Sequence, residues 1–184
     1  MKTKVIDKEI KYTGLELAPH WIYKNFKIQG DAIVAFIGEC EVKLTEMVDV
    51  EDVINNEPIY SKQMINFICE TFNIGLVEGV LRQRLLITTL KEVLESDYNV
   101  NVLRDGDDLF IEGRKLSVSI ATKSATSVLI HTGVNIDPTD APINAIGLNT
   151  IKDLNPKDFA KKVIEKYSAE VEDIVLATTK VSGR

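Results

Sequence analysis

The chain has 184 residues, a formal net charge of -6 and a pI near 5.1. This length suffices for one substantial core, so we expect a single domain spanning residues 1–184. An acidic surface repels a phosphate backbone, which argues against nucleic acid as a partner. The only two cysteines, Cys40 and Cys69, do not form the disulfide framework of a small secreted protein. With no signal-peptide core and no membrane-spanning apolar segment, the sequence predicts a cytoplasmic protein.

The first half of the chain contains one strand region and two helical patterns. Residues 31–44 are rich in β-branched and aliphatic side chains and predict one or two strands. The acidic stretch 45–58 predicts a loop closed by Pro58. Residues 61–72 place Met64, Ile65, Ile68 and Phe72 at helical spacing after Ser61, a candidate N-cap, and predict a helix. We expect this helix and the next one to cover the same sheet face.

After a break at Gly75, residues 76–95 predict a second helix, with a stripe of Val77, Val80, Leu81 and Leu85. The following segment predicts four strands, at residues 100–104, 108–112, 114–122 and 127–136. The Asp-Gly pair between the first two favours a hairpin. A terminal helix is predicted to begin at Asn155 and Pro156, with Phe159, Val163 and Tyr167 on one stripe. Grouped strands and separate helices indicate an α+β fold with a largely antiparallel sheet.

The central strands carry two polar rows. Simple alternation places Lys115, Ser117 and Ser119 on one face of their strand. It places His131, Gly133 and Asn135 on one face of the next. If the register makes the two rows coincide, they form the floor of a cleft, whereas a slip of one residue separates them. The alternative is a half-solvated sheet whose lysine protects an edge strand.

The segment "DGDDLFIEGRKLSVSI" followed by "VLIHTGVNID" resembles the paired motifs of the biotin and lipoate protein ligase superfamily. Asp107, Asp108 and Leu109 match an Asn-Asp-Leu segment of biotin ligases, and Lys115 matches the catalytic lysine. His131, Gly133 and Asn135 resemble the His-Gly strand of lipoate ligases, with one threonine inserted. The sequence also resembles a small, mainly archaeal, uncharacterised family with this fold. The resemblance implies a class II aminoacyl-tRNA synthetase/biotin-lipoate ligase-like domain.

Two departures from the superfamily bear on the chemistry. Octanoyltransferases carry a cysteine nucleophile in a segment that here reads "INAIG", so Ile146 occupies its place and excludes acyl-cysteine transfer there. Cys40 in an aliphatic strand is typical of an inert core thiol. The family's Arg- and Gly-rich phosphate loop is replaced by acidic residues, which puts ATP in doubt. Lys43, Arg82 or Arg84 are the remaining candidates for a phosphate contact.

The resemblance implies roles for individual residues. Lys115 would stabilise a developing oxyanion or a leaving phosphate, and His131 would bind substrate or act as a base. Asp107 and Asp108 could hold magnesium, or simply form a turn. Substrate-binding candidates are Ser117, Ser119, Gly133, Asn135 and Trp21.

Three functions remain open at this stage. The first is an acyltransferase or acyl-adenylate-forming ligase without a cysteine nucleophile, which acts on a small carboxylic acid or on a lysine of an acceptor protein. The second is a non-catalytic binding or regulatory module. The third is a nucleic-acid role by analogy with the synthetases, which the acidic charge disfavours. A homodimer is left open.

Overall fold

A five-stranded sheet forms the centre of the computed structural model, which describes residues 1–183. Its strands run in the order β1-β2-β3-β8-β7, and β4, β5 and β6 form a separate three-stranded sheet. Strand β1 is parallel to β2, whereas all other pairings are antiparallel. The strands are β1 Lys2–Val5, β2 Ala32–Val42, β3 Ile59–Phe72, β4 Leu103–Asp105, β5 Asp108–Ile111, β6 Arg114–Lys115, β7 Ser117–Lys123 and β8 Ser127–Asp137.

Helices cover both faces of the central sheet, so the predicted α+β class with a largely antiparallel sheet is confirmed. The helices are α1 Trp21–Phe26, α2 Val50–Asn55, α3 Leu76–Tyr98 and α4 Pro156–Ala177, with 3-10 turns at Leu44–Glu46 and Leu148–Thr150. One core lies under α3 and α4, and a second lies under α1 and the N-terminal segment. Among residues 1–183, every helix is too short or too polar to cross a bilayer.

The predicted helix over residues 61–72 is wrong, because these residues form β3, in the middle of the sheet. Ile65, Phe67 and Cys69 face the core under α3 and α4, whereas Met64 and Ile68 face the second core. A strand that is buried on both faces needs apolar residues at consecutive positions, and such a run includes helical spacings by coincidence. Ser61 therefore does not cap a helix.

The helix predicted over residues 76–95 is present as α3, but its buried stripe differs from the prediction. Val77 and Leu81 are 78% and 64% exposed, and the buried side chains begin at Gln83 and continue through Leu86 and Leu90. A β-carbon on Gly79 would lie 2.4 Å from Val128 Cγ1, so this glycine allows α3 to approach the sheet closely. The first turns of α3 carry apolar residues on several sides, so the sequence does not show which side is buried. The packing of α3 against the sheet determines it.

The terminal helix and the Asp-Gly hairpin are confirmed. Asn155 Oδ1 accepts hydrogen bonds from the backbone N–H groups of Lys157 and Asp158, at 2.9 and 3.2 Å. Strands β4 and β5 pair through Asp105 and Asp108 across a two-residue turn, in which Gly106 adopts a positive φ of 59°. Glycine is suited to this turn conformation. The hairpin places its carboxylates next to β6.

Candidate functional site

A cleft lies where β3 begins and the small sheet meets β7. It consists of two adjoining cavities that share four lining residues, Asp52, Ile59, Lys115 and Val118. The acidic cavity, of about 230 Å³, is lined by six carboxylates, those of Glu46, Asp49, Glu51, Asp52, Asp107 and Asp108. The apolar cavity, of about 310 Å³, is lined by Pro58, Met64, Pro142, Ile143 and Ala145 among others. A ligand that spans both cavities would be apolar at one end and cationic or polar at the other.

Lys115 is located where the two cavities meet, and among residues 1–183 it is the only lysine or arginine that lines either of them. Its Nζ lies 2.8 Å from Asp108 Oδ2, and both side chains are 29% exposed. Its backbone N–H donates to Asn144 O, and its carbonyl accepts from Ile146 N–H, each at 3.0 Å. The main chain of Lys115 is therefore fixed, while its ammonium group stays accessible to a ligand.

Burial changes the proton affinity of two carboxylates around Lys115. Desolvation raises the pKa of Asp108, although the neighbouring ammonium opposes this effect. Desolvation and the nearby Asp49 raise the pKa of Asp52, again against the influence of Lys115. Carboxylates that hold protons more tightly than usual are suited to accept a proton from an incoming nucleophile.

Asp107 belongs to a polar network that the sequence does not reveal. Its Oδ2 accepts from Gln83 Nε2 at 2.9 Å, and its Oδ1 lies 3.0 Å from Arg84 Nη1. Gln83 is only 3% exposed and also donates to Ser119 Oγ at 3.1 Å. Gln83 lies between two arginines, and such a pattern is typical of a solvent-exposed helix face. Its role becomes visible only from the packing of α3 against the sheet.

The two hairpin carboxylates do not match a metal site in this arrangement. Asp107 is paired with Arg84, and Asp108 is paired with Lys115. Within residues 1–183, no three histidine, cysteine, aspartate or glutamate side chains are grouped so that they could hold a metal ion. The residues therefore do not fit the magnesium site that the resemblance suggested.

His131 lines the acidic cavity together with Lys115, so the cleft contains both groups. The imidazole is 3% exposed and stacks on Tyr12 with ring centroids 3.8 Å apart. Its Nε2 is 3.0 Å from Asn66 Oδ1. Burial lowers the pKa of His131 to about 3, so the ring is neutral at physiological pH and a weak base. These contacts fit a residue that shapes the cavity wall better than one that carries a proton.

The neutral state of His131 predicts a fold that is sensitive to acid. Between the usual pKa of 6.5 and the lowered value of about 3, the unfolded chain binds a proton that the folded chain excludes. The free energy of unfolding should therefore fall with decreasing pH in this window, by about 1.4 kcal/mol per unit at most. Urea unfolding of wild type and His131→Gln near neutral pH and at about pH 5 measures this contribution.

A glutamine at this position keeps an amide donor for Asn66 but does not titrate, so its stability should fall less in acid than that of the wild type. His20→Gln removes the only other histidine in the sequence and leaves the buried His131 in place, so it is the matched control. Equal slopes for wild type and His131→Gln would contradict this prediction.

Ser117 and Ser119 of the first predicted row face the opposite side of the sheet from His131 and Gly133 of the second row. The register pairs Ser117 with Val134 and Ser119 with Thr132, whereas His131 is paired with Ile120. Ser117 is fully buried, and its Oγ accepts from Leu109 N–H at 2.9 Å. Ser119 borders the acidic cavity, but its Oγ bonds Gln83 and Thr132.

The expected row of Lys115, Ser117 and Ser119 is therefore wrong. The chain passes from β6 in the small sheet to β7 in the central sheet at Leu116, so simple alternation does not continue across this point. Leu116 marks the junction, because its N–H donates to Leu109 O at 2.7 Å and its carbonyl accepts from Asn135 N–H at 2.9 Å.

The remaining substrate-binding candidates have different positions. Asn135 lines the apolar cavity, where its Nδ2 is 3.4 Å from Lys115 O. Gly133 lines neither cavity. A β-carbon on this glycine would lie 2.3 Å from Met64 Sδ, so the glycine makes room for that side chain. Trp21 also lies outside the cleft and packs on Phe36 in the second core, with ring centroids 5.7 Å apart.

No thiol lines either cavity. Cys40 and Cys69 are buried, and burial raises the pKa of the Cys40 thiol to about 12 and that of Cys69 to about 11. Ile146, at the position that resembles the cysteine site of octanoyltransferases, is 3% exposed and belongs to the core under α3 and α4. A thiolate nucleophile requires a lowered pKa and not a raised one, so these side chains have a packing role.

The candidates for a phosphate contact are also outside the cleft. Lys43 and Arg82 line neither cavity, and Arg84 is engaged by Asp107. The segment 46–52, from the stretch predicted as a loop, instead contributes Glu46, Asp49, Glu51 and Asp52 to the acidic cavity. An isolated triphosphate would be repelled by this lining.

The fold of this chain is similar to that of biotin and lipoate protein ligases. The biotin protein ligase from Aquifex aeolicus, solved in complex with biotin and ATP, has a TM-score of 0.64 and 17% identity, over 92% of this chain and 70% of that one. The putative lipoate protein ligase Ta0514 from T. acidophilum has a TM-score of 0.63 and 11% identity, over 94% and 86%. At these identities the similarity concerns the fold, and the predicted biotin-lipoate ligase-like fold is confirmed.

The chain belongs to the family described as Domain of unknown function (DUF366), whose model matches residues 1–182. It is 42% identical over 178 residues to Uncharacterized protein MJ0805 from Methanocaldococcus jannaschii, covering 92% of this chain and 79% of that protein. A protein of unknown function from Pyrococcus horikoshi has a TM-score of 0.93 and 35% identity, over 100% of this chain and 98% of that one.

Proposed function

We propose that this protein transfers an acyl group, as an acyltransferase or an acyl-adenylate-forming ligase, and acts on a small carboxylic acid or its activated form without a cysteine nucleophile. The observation that supports this proposal best is the position of the Lys115 ammonium between an apolar and an acidic cavity. An apolar acyl chain would occupy the first cavity and bring its carbonyl to the junction. The acidic cavity would receive the acceptor.

Lys115 would act electrostatically in this reaction. When a nucleophile adds to the carbonyl, negative charge develops on the carbonyl oxygen, and a nearby ammonium stabilises it. Asp108, 2.8 Å from Nζ, holds the lysine side chain toward the cleft. The apolar wall formed by Val118 and Ile59 lowers the local polarity and strengthens this electrostatic effect.

The acidic lining favours an amine as the acceptor. An ammonium group is attracted to the carboxylates of Asp49 and Asp52, and it must lose a proton before it can attack. Asp52 lines both cavities, and its raised pKa suits it to take that proton. The C–N bond then forms as the bond to the leaving group breaks, and the leaving group departs with the electron pair.

ATP–pyrophosphate exchange with biotin, lipoate and octanoate tests the ligase form of this proposal. Transfer from a preformed octanoyl thioester to butylamine, followed by mass spectrometry, tests the acyltransferase form. Exchange with any of the acids, or transfer from the thioester, would support acyl-transfer chemistry. Absence of both reactions, together with absence of acid binding in calorimetry, would overturn it.

A non-catalytic binding module is the second candidate, and the acidic segment 46–52 favours it. This segment, together with Asp107 and Asp108, makes the cavity unsuited to nucleotide phosphates, while the apolar cavity remains able to hold an acid. Saturable binding of an acid without exchange or transfer would select this candidate.

A further inference from the structure

A separate cavity of about 310 Å³ lies at the opposite end of β3 from the cleft. Its lining includes Glu70 and Phe72 from the end of β3 and His20 and Tyr23 from the region of α1. The cleft is lined by Ile59, at the beginning of the same strand. At a rise of about 3.3 Å per residue, Ile59 and Glu70 are roughly 36 Å apart along β3. The acyl-transfer proposal makes no use of this cavity.

Glu70 is the unusual residue of this cavity. It is 2% exposed, and its Oε1 accepts hydrogen bonds from His20 N–H at 2.8 Å and from Ser127 Oγ at 2.7 Å. Within residues 1–183, the second carboxylate oxygen, Oε2, accepts no hydrogen bond, and Glu70 forms no ion pair. Burying a carboxylate without a counter-ion is costly. A cation that enters the cavity would offset this cost.

Three of the other lining residues are aromatic, and Ile28, Gln29 and Gly30 complete the cavity. The rings of His20 and Phe72 lie 5.7 Å apart with an angle of 22° between their planes, and Tyr23 is 45% exposed at the mouth. In the part of the chain that the structure describes, no lysine or arginine lines this cavity. Aromatic faces attract cations, and alkyl groups on a cation gain apolar contact with the same rings.

We propose that this cavity binds a small organic ammonium ion, with Glu70 as the counter-ion and Tyr23, His20 and Phe72 as walls. A neutral apolar ligand would leave the carboxylate of Glu70 uncompensated, and an anion would be repelled by it. A hydrated metal ion would gain little from three aromatic walls. An ammonium that carries alkyl groups satisfies both parts of the lining.

NMR titration of the isotopically labelled full chain tests this proposal. Choline is compared with 3,3-dimethylbutan-1-ol, a neutral molecule of nearly the same shape, and with butylammonium as a primary amine. Saturable shifts at residues 20–30 and 70–72 with choline or butylammonium, and not with the alcohol, are expected. Choline alone would indicate a methylated ammonium, and butylammonium alone would indicate a primary amine such as a lysine side chain.

Glu70→Gln should weaken ammonium binding by about tenfold or more. Glutamine keeps an oxygen that can accept the bonds from His20 and Ser127, so the fold should persist. Glu170→Gln, on the exposed surface of α4, is the matched control and should bind like wild type. Tyr23→Ala should weaken binding, and Tyr23→Phe should restore it. Equal binding of the alcohol, wild-type affinity in Glu70→Gln, or shifts confined to the cleft would overturn the proposal.

Discussion

Replacement of Lys115 by alanine should reduce acyl transfer by about 10²- to 10³-fold, the usual effect of removing one group that stabilises an oxyanion. The melting temperature should change little. The ion pair with Asp108 is partly exposed, so its loss has a small effect on the free energy of unfolding, of about 1 kcal/mol or less. The backbone hydrogen bonds of Lys115 to Asn144 and Ile146 are retained in alanine. Turnover of the active substrate and thermal unfolding are measured on the same preparations.

Lys123→Ala is the control for this experiment, because Lys123 lies exposed at the other end of β7 and lines neither cavity. It should keep wild-type turnover and stability. Lys115→Arg keeps the positive charge but changes the donor geometry, so it should recover part of the activity at most. A parallel loss of activity and melting temperature in Lys115→Ala would make the lysine a structural residue.

The sequence pattern predicts the outer elements of this fold better than the central ones. Helix α4 carries an Asn-Pro start and an apolar stripe with one buried side, and both signals agree with its structure. Strand β3 gives a misleading pattern because it is buried on both faces. The alternation of apolar and polar residues that normally marks a strand is lost when both faces of the strand need apolar residues. Burial in the tertiary structure then makes this segment a strand.

The site could be predicted only in part for a similar reason. The motif resemblance identifies Lys115 and His131, and both line the acidic cavity. The segment 46–52 also lines that cavity, although it is distant in sequence from Lys115 and His131. The sequence pattern predicts a loop over 45–58 and does not indicate helix α2. Gln83 and Asn66 gain their roles only from long-range contacts. Such contacts leave no periodic signal in the chain.

The negative charge of the cleft does not agree with the nucleotide-dependent chemistry that the motif resemblance suggests. The lysine motif is present, but six carboxylates line the cavity beside it, whereas the resemblance implies a basic phosphate loop. A cleft of this charge favours cationic acceptors over nucleotide phosphates. Under the proposed acyl transfer, a donor that is already activated would therefore suit this lining better than adenylate formation.

Replacement of Gly147 by alanine should destabilise the protein by about 3 kcal/mol, because the added β-carbon would collide with main-chain atoms. It would lie 2.2 Å from Ile136 O and 2.8 Å from Pro138 Cδ. Gly147 has a φ of -127° and a ψ of 161°, which any residue adopts, so the cost is steric and not conformational. Urea unfolding compares this variant with wild type.

Gly75→Ala provides the matched control, because a β-carbon on Gly75 would have no neighbour within 4 Å and its φ is -87°. Its free energy of unfolding should fall by about 1 kcal/mol or less, since Gly75 is the N-cap of α3 and alanine is a poorer N-cap residue. The Gly147 variant should also bind an acid ligand more weakly, since displacement of the chain at Gly147 moves residues 141–145 of the apolar cavity. Equal stability of the two alanine variants would contradict this prediction, because it would show that the segment after β8 adapts to the extra methyl group. The close approach of Gly147 to Ile136 would then not be a requirement of the fold.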